Sequence, residues 1–209
     1  TAITADGDLS DWEGESWIDF RFPGGYPADN PAVDVTAAKA AFSWNDSEPD
    51  TVYVAVVVTD TDLNFAADPN NWNSGDNIEV RFSANPTSST TDWYDSETYD
   101  TAQYYQIFRK NDGSSVANLG PIANGLTVEA AGADLDYATA IDADGNIVYE
   151  LAIPAYQLFD LAGTDTLATV EDGKKIAFNL QINSVQTDPV GMDVVTLGIG
   201  DNDTFQIAS

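Results

Sequence analysis

Alternation of apolar and polar residues along the chain predicts β-strands. Over Asn77–Ser83, three apolar residues alternate with Glu79 and Arg81, which places the two sets on opposite faces of a strand. The same alternation runs through Lys175–Asn183. Val52–Thr59 is apolar and β-branched throughout, which predicts a central strand covered on both faces. Three further segments have strand character: Gln103–Lys110, Ile147–Ile153 and Val194–Ile199.

Turn-forming residues separate these segments, and no long helical period is present. Asp144 and Gly145, between two strand-like runs, are typical of a hairpin. Pro154–Leu161 predicts one short helix that begins at the proline. No break in composition and no repeat divides the chain. The sequence therefore predicts a single all-β domain over residues 1–209, an antiparallel β-sandwich of jelly-roll or immunoglobulin-like type with little helix.

Composition excludes several classes of function. The 209 residues include 7 Lys and Arg, 35 Asp and Glu, no His and no Cys, for a net charge of −28. Without His or Cys there is no disulfide, no Ser-His-Asp or Cys-His catalysis and no thiolate or imidazole metal site. The charge argues against nucleic acid and against an anionic membrane surface. No apolar stretch is long enough for membrane insertion.

The acidity itself has two interpretations. Asp occurs 27 times and Glu only 8 times, which favours turns between strands over helices. One interpretation is an acid-rich surface that keeps the protein soluble in salty water. The other is a set of oxygen ligands for calcium. The two are compatible.

Five segments, in order, resemble the signatures of family 9 carbohydrate-binding modules and of the wider DOMON-like superfamily. The segments are Ala5–Trp12 (ADGDLSDW), Phe42–Leu63, Trp72–Ser83 (WNSGDNIEVRFS), Asn146–Leu158 and Lys174–Asn183 (KKIAFNLQIN). The resemblance implies a β-sandwich and the binding of a sugar.

Sugar recognition needs a flat aromatic face, and Trp72 is the leading candidate. It lies in a polar loop of Asn, Ser and Gly, and in the resembled family an aromatic at about this place stacks on the sugar. The family's second aromatic comes from near the C-terminus, but residues 191–209 contain no Trp. Trp93 and Tyr94 are the predicted substitutes, with a hydrophobic lid as the alternative.

The other tryptophans are interpreted differently. Trp12 lies in the first signature and Trp44 precedes the central strand, and both are expected to close the core. Trp17 is left undecided between the core and a ligand.

Polar strand faces supply the candidate hydroxyl contacts: Glu79, Arg81, Arg109, Gln181 and Asn183. With only three Arg in the chain, an Arg on a strand face is expected to be paired or functional. Three interpretations stay open: a sugar-binding row, an ordinary solvated sheet face, and a buried Glu–Arg pair that holds the register of the sheet.

The resemblance also implies structural calcium near the opening turn. This favours Asp6 and Asp8 as ligands, and Asp60 and Asp62 form a second acidic cluster after the central strand. Residues 142–146 resemble the start of a calcium loop, but the glycine falls at the fourth place and a hairpin turn is preferred. Glu150 lies in one of the signatures and is expected to be structural.

Four functions compete. The preferred one is a non-catalytic module of a secreted, extracellular protein that binds a polysaccharide or oligosaccharide, alone or attached to a catalytic domain of a polysaccharide-degrading enzyme. For a DOMON-type haem domain the resemblance implies an axial Met together with His or Lys. The chain has no His, four Lys and one methionine, Met192, in a segment expected to be a polar turn, and no haem is expected. A glycosidase would use two carboxylates. A calcium-dependent adhesion or surface module is the fourth.

Overall fold

Thirteen elements make up the part of the chain that the computed structural model describes. That part comprises residues 3–19, 35–65, 75–84, 103–119, 134–158, 166–187 and 190–197. A 3-10 helix, Leu9–Trp12, comes first. The strands are β1 (Trp17–Asp19), β2 (Val35–Asn45), β3 (Glu48–Asp60), β4 (Asn77–Ser83), β5 (Gln103–Arg109), β6 (Ser115–Leu119), β7 (Asp136–Ile141), β8 (Ile147–Pro154), β9 (Tyr156–Leu158), β10 (Thr166–Leu167), β11 (Ala177–Thr187) and β12 (Val190–Leu197).

The strands form two antiparallel five-stranded sheets. The order in the first sheet is β1-β2-β3-β8-β7, and in the second sheet β12-β11-β4-β5-β6, while β9 and β10 form a separate pair. The expected antiparallel β-sandwich is confirmed. The short helix expected over Pro154–Leu161 is wrong for its described part, because Pro154 ends β8 and Tyr156–Leu158 is a strand.

The core lies between the two sheets because alternate residues of each strand point into that space. The first sheet contributes side chains such as Val54 and Val56 from β3, and the second contributes Ile78, Val80 and Phe82 from β4. All five are fully buried. The alternation that predicts opposite faces for Asn77–Ser83 is therefore confirmed.

The outer face of the first sheet is covered by the N-terminal segment. Trp12 and Ile3 pack on Tyr53 and Ala55, whose side chains point away from the main core. This is why β3 is buried on both faces, as its continuous apolar run predicts. Within the described ranges, no helix is long and apolar enough to cross a membrane.

Candidate functional site

Polar side chains line the outer face of the second sheet, on the three strands at its centre. We call this surface the polar face; its members are Asn77, Glu79, Arg81, Tyr104, Gln106, Asn179, Gln181 and Asn183. The register fixes their neighbours: Glu79 lies between Gln181 on β11 and Gln106 on β5. Cross-strand partners share one face of a sheet, so residues distant in sequence come together here.

Arg81 is held from three sides within the polar face. Its Nη2 donates to Oε2 of Glu79 at 2.9 Å, and its Nη1 donates to Oδ1 of Asn179 at 3.2 Å and to Oε1 of Gln181 at 3.4 Å. The guanidinium also lies 4.7 Å from the ring centroid of Tyr104. A planar guanidinium fixed by bonds and a ring has little freedom to turn.

Glu79 connects Arg81 to the amides around it. Its Oε1 accepts from Nε2 of Gln106 at 2.9 Å and from Nδ2 of Asn183 at 3.1 Å. Gln181 Nε2 donates to Oδ1 of Asn183 at 2.7 Å, which completes a network across three strands. Asn77 also belongs to it, because its Oδ1 accepts from Asn183 at 2.8 Å.

The network is buried and its charges are balanced. Glu79 is 5% exposed and Arg81 2% exposed, so each would be costly without the other. Gln106 is more accessible than either. The geometry expected for a buried Glu–Arg pair is confirmed, and the expectation of a plainly solvated face is wrong.

Arg109 does not lie on the polar face. On β5 it shares the inward face with Ile107, and its Nη1 donates to the carbonyl of Thr139 on β7 at 2.8 Å. Its guanidinium also faces the ring of Phe65 at 5.7 Å. Arg109 therefore connects β5 of the second sheet to β7, the edge strand of the first, which corrects its grouping with Glu79 and Arg81 on one polar strand face.

The predicted aromatic contacts Trp72, Trp93 and Tyr94 lie outside the described residues. Their stacking on a sugar stays a prediction. Gln106 and Asn77 are polar-face residues that the sequence pattern alone does not single out. The signal that could have found Gln106 is its alternation with the apolar residues of β5, which places it beside Glu79 once the strands pair.

The remaining tryptophans have three different environments. Trp12 is 1% exposed, so its predicted burial is confirmed, in the smaller hydrophobic cluster on the outer face of the first sheet. Trp44 is 47% exposed, so its expected role in closing the core is wrong. The strand register shifts between Ser43 and Asn45, at the hairpin that follows β2, so the regular alternation does not hold at Trp44. Trp17 is partly buried beside Trp12 and lies under the ammonium group of Lys39.

Glu150 anchors the N-terminal turn to the first sheet. Its Oε1 accepts from Nε1 of Trp12 at 2.6 Å, and its Oε2 accepts from the backbone N–H groups of Gly7 and Asp6. Burial raises the pKa of Glu150 above its ordinary value, although the bonds from Trp12 and Gly7 oppose that shift. The structural role expected for Glu150 is confirmed.

The candidate calcium ligands are engaged in local turns. Asp6 accepts from the N–H of Asp8, Asp8 caps the 3-10 helix through the N–H of Ser10, and Asp60 accepts from the N–H of Asp62. In the described ranges no group of three or more acidic side chains converges as a metal site. These carboxylates alone do not supply the six to eight oxygens that calcium takes. Calcium binding stays a prediction.

Residues 142–146 form the turn of the β7–β8 hairpin. Oδ1 of Asp142 accepts from the N–H groups of Asp144 and Asn146, and Gly145 has φ +88°. A positive φ favours glycine. The hairpin preferred over a calcium loop is therefore confirmed.

Asp76 is a buried acid that sequence reasoning passes over. Its carboxylate accepts from the N–H of Asn64 at 2.6 Å and from the N–H of Val185 at 2.8 Å, so it joins the end of β3, the start of β4 and β11. Burial raises its pKa from 3.8 to about 7, and the nearby charges of Asp60 and Asp62 add to that shift. The sequence signal that could have pointed to Asp76 is the Gly-Asp pair within the signature segment Trp72–Ser83.

Met192 lies in β12, opposite Val185, and the polar turn expected for it is wrong. Gly191 and Asp193 on either side of Met192 suggest a turn, but this segment pairs with β11 as a strand.

Comparison with known proteins points to one family. The family model described as "Carbohydrate family 9 binding domain-like" matches residues 11–208. A family 9 carbohydrate-binding module from Caldicellulosiruptor kristjanssonii, solved with cellotriose, superposes with a TM-score of 0.63 at 15% identity, over 98% of this chain and 85% of that chain. A structure of such a module from the same organism with glucose gives a TM-score of 0.64 at 15% identity, over 98% of this chain and 87% of that chain. None of the curated proteins matches the chain in sequence.

Proposed function

Because this chain belongs to the carbohydrate family 9 binding domain-like family, we propose that it is a non-catalytic module that binds an oligosaccharide or polysaccharide on the polar face. The observation that carries this proposal is the network centred on Glu79 and Arg81. It holds a carboxylate, a guanidinium and several amides side by side on a paired sheet. A sugar offers neighbouring hydroxyls, each able to donate and accept, and such an array matches them.

The network is suited to binding because its side chains are fixed before a ligand arrives. Side chains that already hold one another lose little further rotamer freedom when a sugar binds. Gln106, the more accessible member, would provide the contact beside Glu79, and the buried members would hold Glu79 and Arg81 in place behind it.

Trp72 would supply the aromatic plane. It precedes Asn77, the first residue of β4, by five residues in the sequence. Trp93 and Tyr94 are the proposed partners that would close on the other side of the sugar ring.

Isothermal titration calorimetry with cellotriose and glucose tests the proposal, together with affinity electrophoresis through a panel of neutral and acidic polysaccharides. We expect binding by the wild-type protein and its loss in Trp72→Ala. Gln106→Ala should weaken binding about tenfold, a change of about 1.4 kcal/mol. Gln106 is only partly buried, so this variant should fold.

Matched controls separate binding from charge and folding. Glu13→Gln removes one exposed carboxylate away from the polar face, and its affinity should equal that of the wild type. Thermal unfolding of each variant confirms that it folds. A wild-type protein that binds nothing in the panel would overturn the proposal, and release of reducing sugar from any polysaccharide would contradict a non-catalytic role.

Calcium stabilisation is a separate proposal, which rests on the sequence resemblance at Asp6, Asp8, Asp60 and Asp62. Backbone carbonyls or residues elsewhere in the chain would have to complete the coordination. Removal of calcium with a chelator should lower the melting temperature, and added Ca²⁺ should restore it where Mg²⁺ does not. An unchanged melting temperature would contradict stabilisation by calcium.

Secretion and attachment to a catalytic domain are also proposals. A carbohydrate-binding module acts where polysaccharide is, outside the cell. Detection of the protein in the culture medium, alone or as part of a larger enzyme, would support them; retention inside intact cells would contradict them.

A further inference from the structure

Trp44 is a second candidate for sugar binding, on the sheet opposite the polar face. It is the largest of the four exposed large hydrophobic side chains in the described part of the protein, with 47% of its surface accessible. Single exposed apolar residues are common on protein surfaces, so exposure alone does not identify a site. Two further features distinguish this one: the rigidity of its hairpin and the charge around it.

The hairpin between β2 and β3 is pre-organised. Oδ1 of Asn45 accepts from the N–H groups of Ser47 and Glu48, each at 2.9 Å, and the hydroxyl of Tyr53 donates to Glu48. Two residues before Trp44, Phe42 is fixed against the ring of Phe178 with centroids 4.6 Å apart. The indole therefore sits on a backbone that is fixed on both sides, which limits the entropy lost on binding.

The charge around the hairpin disfavours anionic ligands. Asp46, Glu48 and Asp50 follow Trp44 within six residues, and the ion pairs found between described side chains, Arg81–Glu79 and Lys110–Asp112, lie on other strands and turns. Anionic ligands and a second copy of this chain, with its net charge of −28, would be repelled. Carboxylates can accept hydrogen bonds from sugar hydroxyls while the indole face covers the C–H side of a pyranose.

We propose that Trp44 and the acidic hairpin form a second platform for an uncharged glycan chain, which rests on the proposed function for its ligand class. Trp44 lies at the end of β2 in the first sheet, whereas the polar face belongs to β4, β5 and β11 of the second sheet, so we expect one short oligosaccharide to occupy only one of the two sites. A long chain, or a polysaccharide surface, would engage both. Linked sites raise the apparent affinity without any new contact.

The experiment compares a polymer with a short sugar. Hydroxyethylcellulose in affinity electrophoresis is the neutral polymer, and cellotriose in calorimetry is the short ligand. Trp44→Ala should weaken retention by the polymer about tenfold and leave the affinity for cellotriose unchanged, while Trp44→Phe should fall between. Ile18→Ala, which removes another half-exposed apolar side chain of the first sheet, is the control and should behave as the wild type.

The outcomes are distinct. Equal polymer retention by Trp44→Ala and the wild type would overturn this inference and leave the proposed function standing. Wild-type binding to neither probe would count against both. Retention that depends on Trp44 with the cationic polymer chitosan, but not with hydroxyethylcellulose, would overturn the assignment to an uncharged ligand.

Discussion

Gly7 lies where the N-terminal turn meets the outer face of the first sheet. Its φ is +88°, and a Cβ placed on it would come within 2.9 Å of the Cβ of Ala140. Its N–H donates to Glu150. The position needs a residue that tolerates a positive φ and has no side chain. Glycine meets both requirements, the first for the backbone conformation and the second for the close approach of Ala140.

Gly7→Ala should destabilise the protein more than Gly14→Ala. Gly14 also has a positive φ, +99°, but a Cβ there would meet nothing within 4 Å. Both variants carry the backbone cost of about 1–2 kcal/mol, and Gly7→Ala adds about 1–3 kcal/mol for overpacking. Urea unfolding of the two variants checks this. Equal losses would show that Ala140 moves aside freely.

The bond from Trp12 to Glu150 should carry measurable coupling energy. Trp12→Phe keeps an aromatic ring but removes the N–H that donates to a buried carboxylate at 2.6 Å. We expect a loss of about 1.5–3 kcal/mol, the range for hydrogen bonds to charged groups. A double-mutant cycle with Glu150→Gln separates this bond from the packing of the ring. Strictly additive losses would contradict the coupling.

At the scale of strands, the sequence predicts which side of a strand a residue lies on better than it predicts whether that side is buried or exposed to solvent. The bounds of β4 agree with Asn77–Ser83, and its inward and outward residues are those that alternation assigns. β2 was not predicted, because alanine-rich Val35–Asn45 has weak strand propensity and is stabilised by pairing with β3. Period-two alternation also cannot tell a buried outer face from a solvated one, which is why Glu79 and Arg81 left three interpretations open.

Some of the candidate site residues could be identified from alternation alone, and others could not. Glu79, Arg81, Gln181 and Asn183 could be grouped from alternation, since each is a polar residue opposite apolar ones. Arg109 could not be separated from them by composition alone, because its direction depends on the phase of β5. Gln106 needed the strand pairing, which no local pattern specifies.

The connection made by Asp76 between strands should depend on pH. Its pKa is about 7 in the folded protein against 3.8 ordinarily, so the folded state binds more protons than the unfolded state between about pH 4 and pH 7. The contribution of Asp76 to stability is thus fully present below pH 4 and is lost as pH rises through 7. The wild type should lose free energy of unfolding across this window, by up to about 1.4 kcal/mol per unit of pKa difference.

Asp76→Asn provides the comparison. Its amide cannot titrate, so the difference in unfolding free energy between the wild type and the variant should shrink from pH 4 to pH 8. Urea unfolding at several pH values, with chelator present so that no bound cation contributes, measures it. A difference that stays constant with pH would show that the carboxylate titrates near its ordinary value.

The whole molecule carries far more negative charge than its paired groups can balance. Of 35 acidic residues, the two that form ion pairs between described side chains are Glu79 and Asp112, and with a net charge of −28 the acids repel one another in the folded state. Folding brings these charges closer, so self-repulsion opposes compaction. The polar face is a local exception, because Glu79 and Arg81 neutralise each other and can meet an uncharged sugar without adding to the field.

Salt should therefore raise the melting temperature. Between about 0.1 M and 1 M ionic strength the screening length falls from roughly 10 Å to roughly 3 Å, so repulsion between exposed carboxylates is largely screened at the higher salt concentration. We expect a rise of several degrees in NaCl, measured by calorimetry at pH 8, where the carboxylates are ionised. CaCl₂ at matched ionic strength separates screening from binding: an equal rise indicates screening alone, and a larger one supports specific calcium sites. A melting temperature insensitive to NaCl would show that the acids lie too far apart to oppose folding.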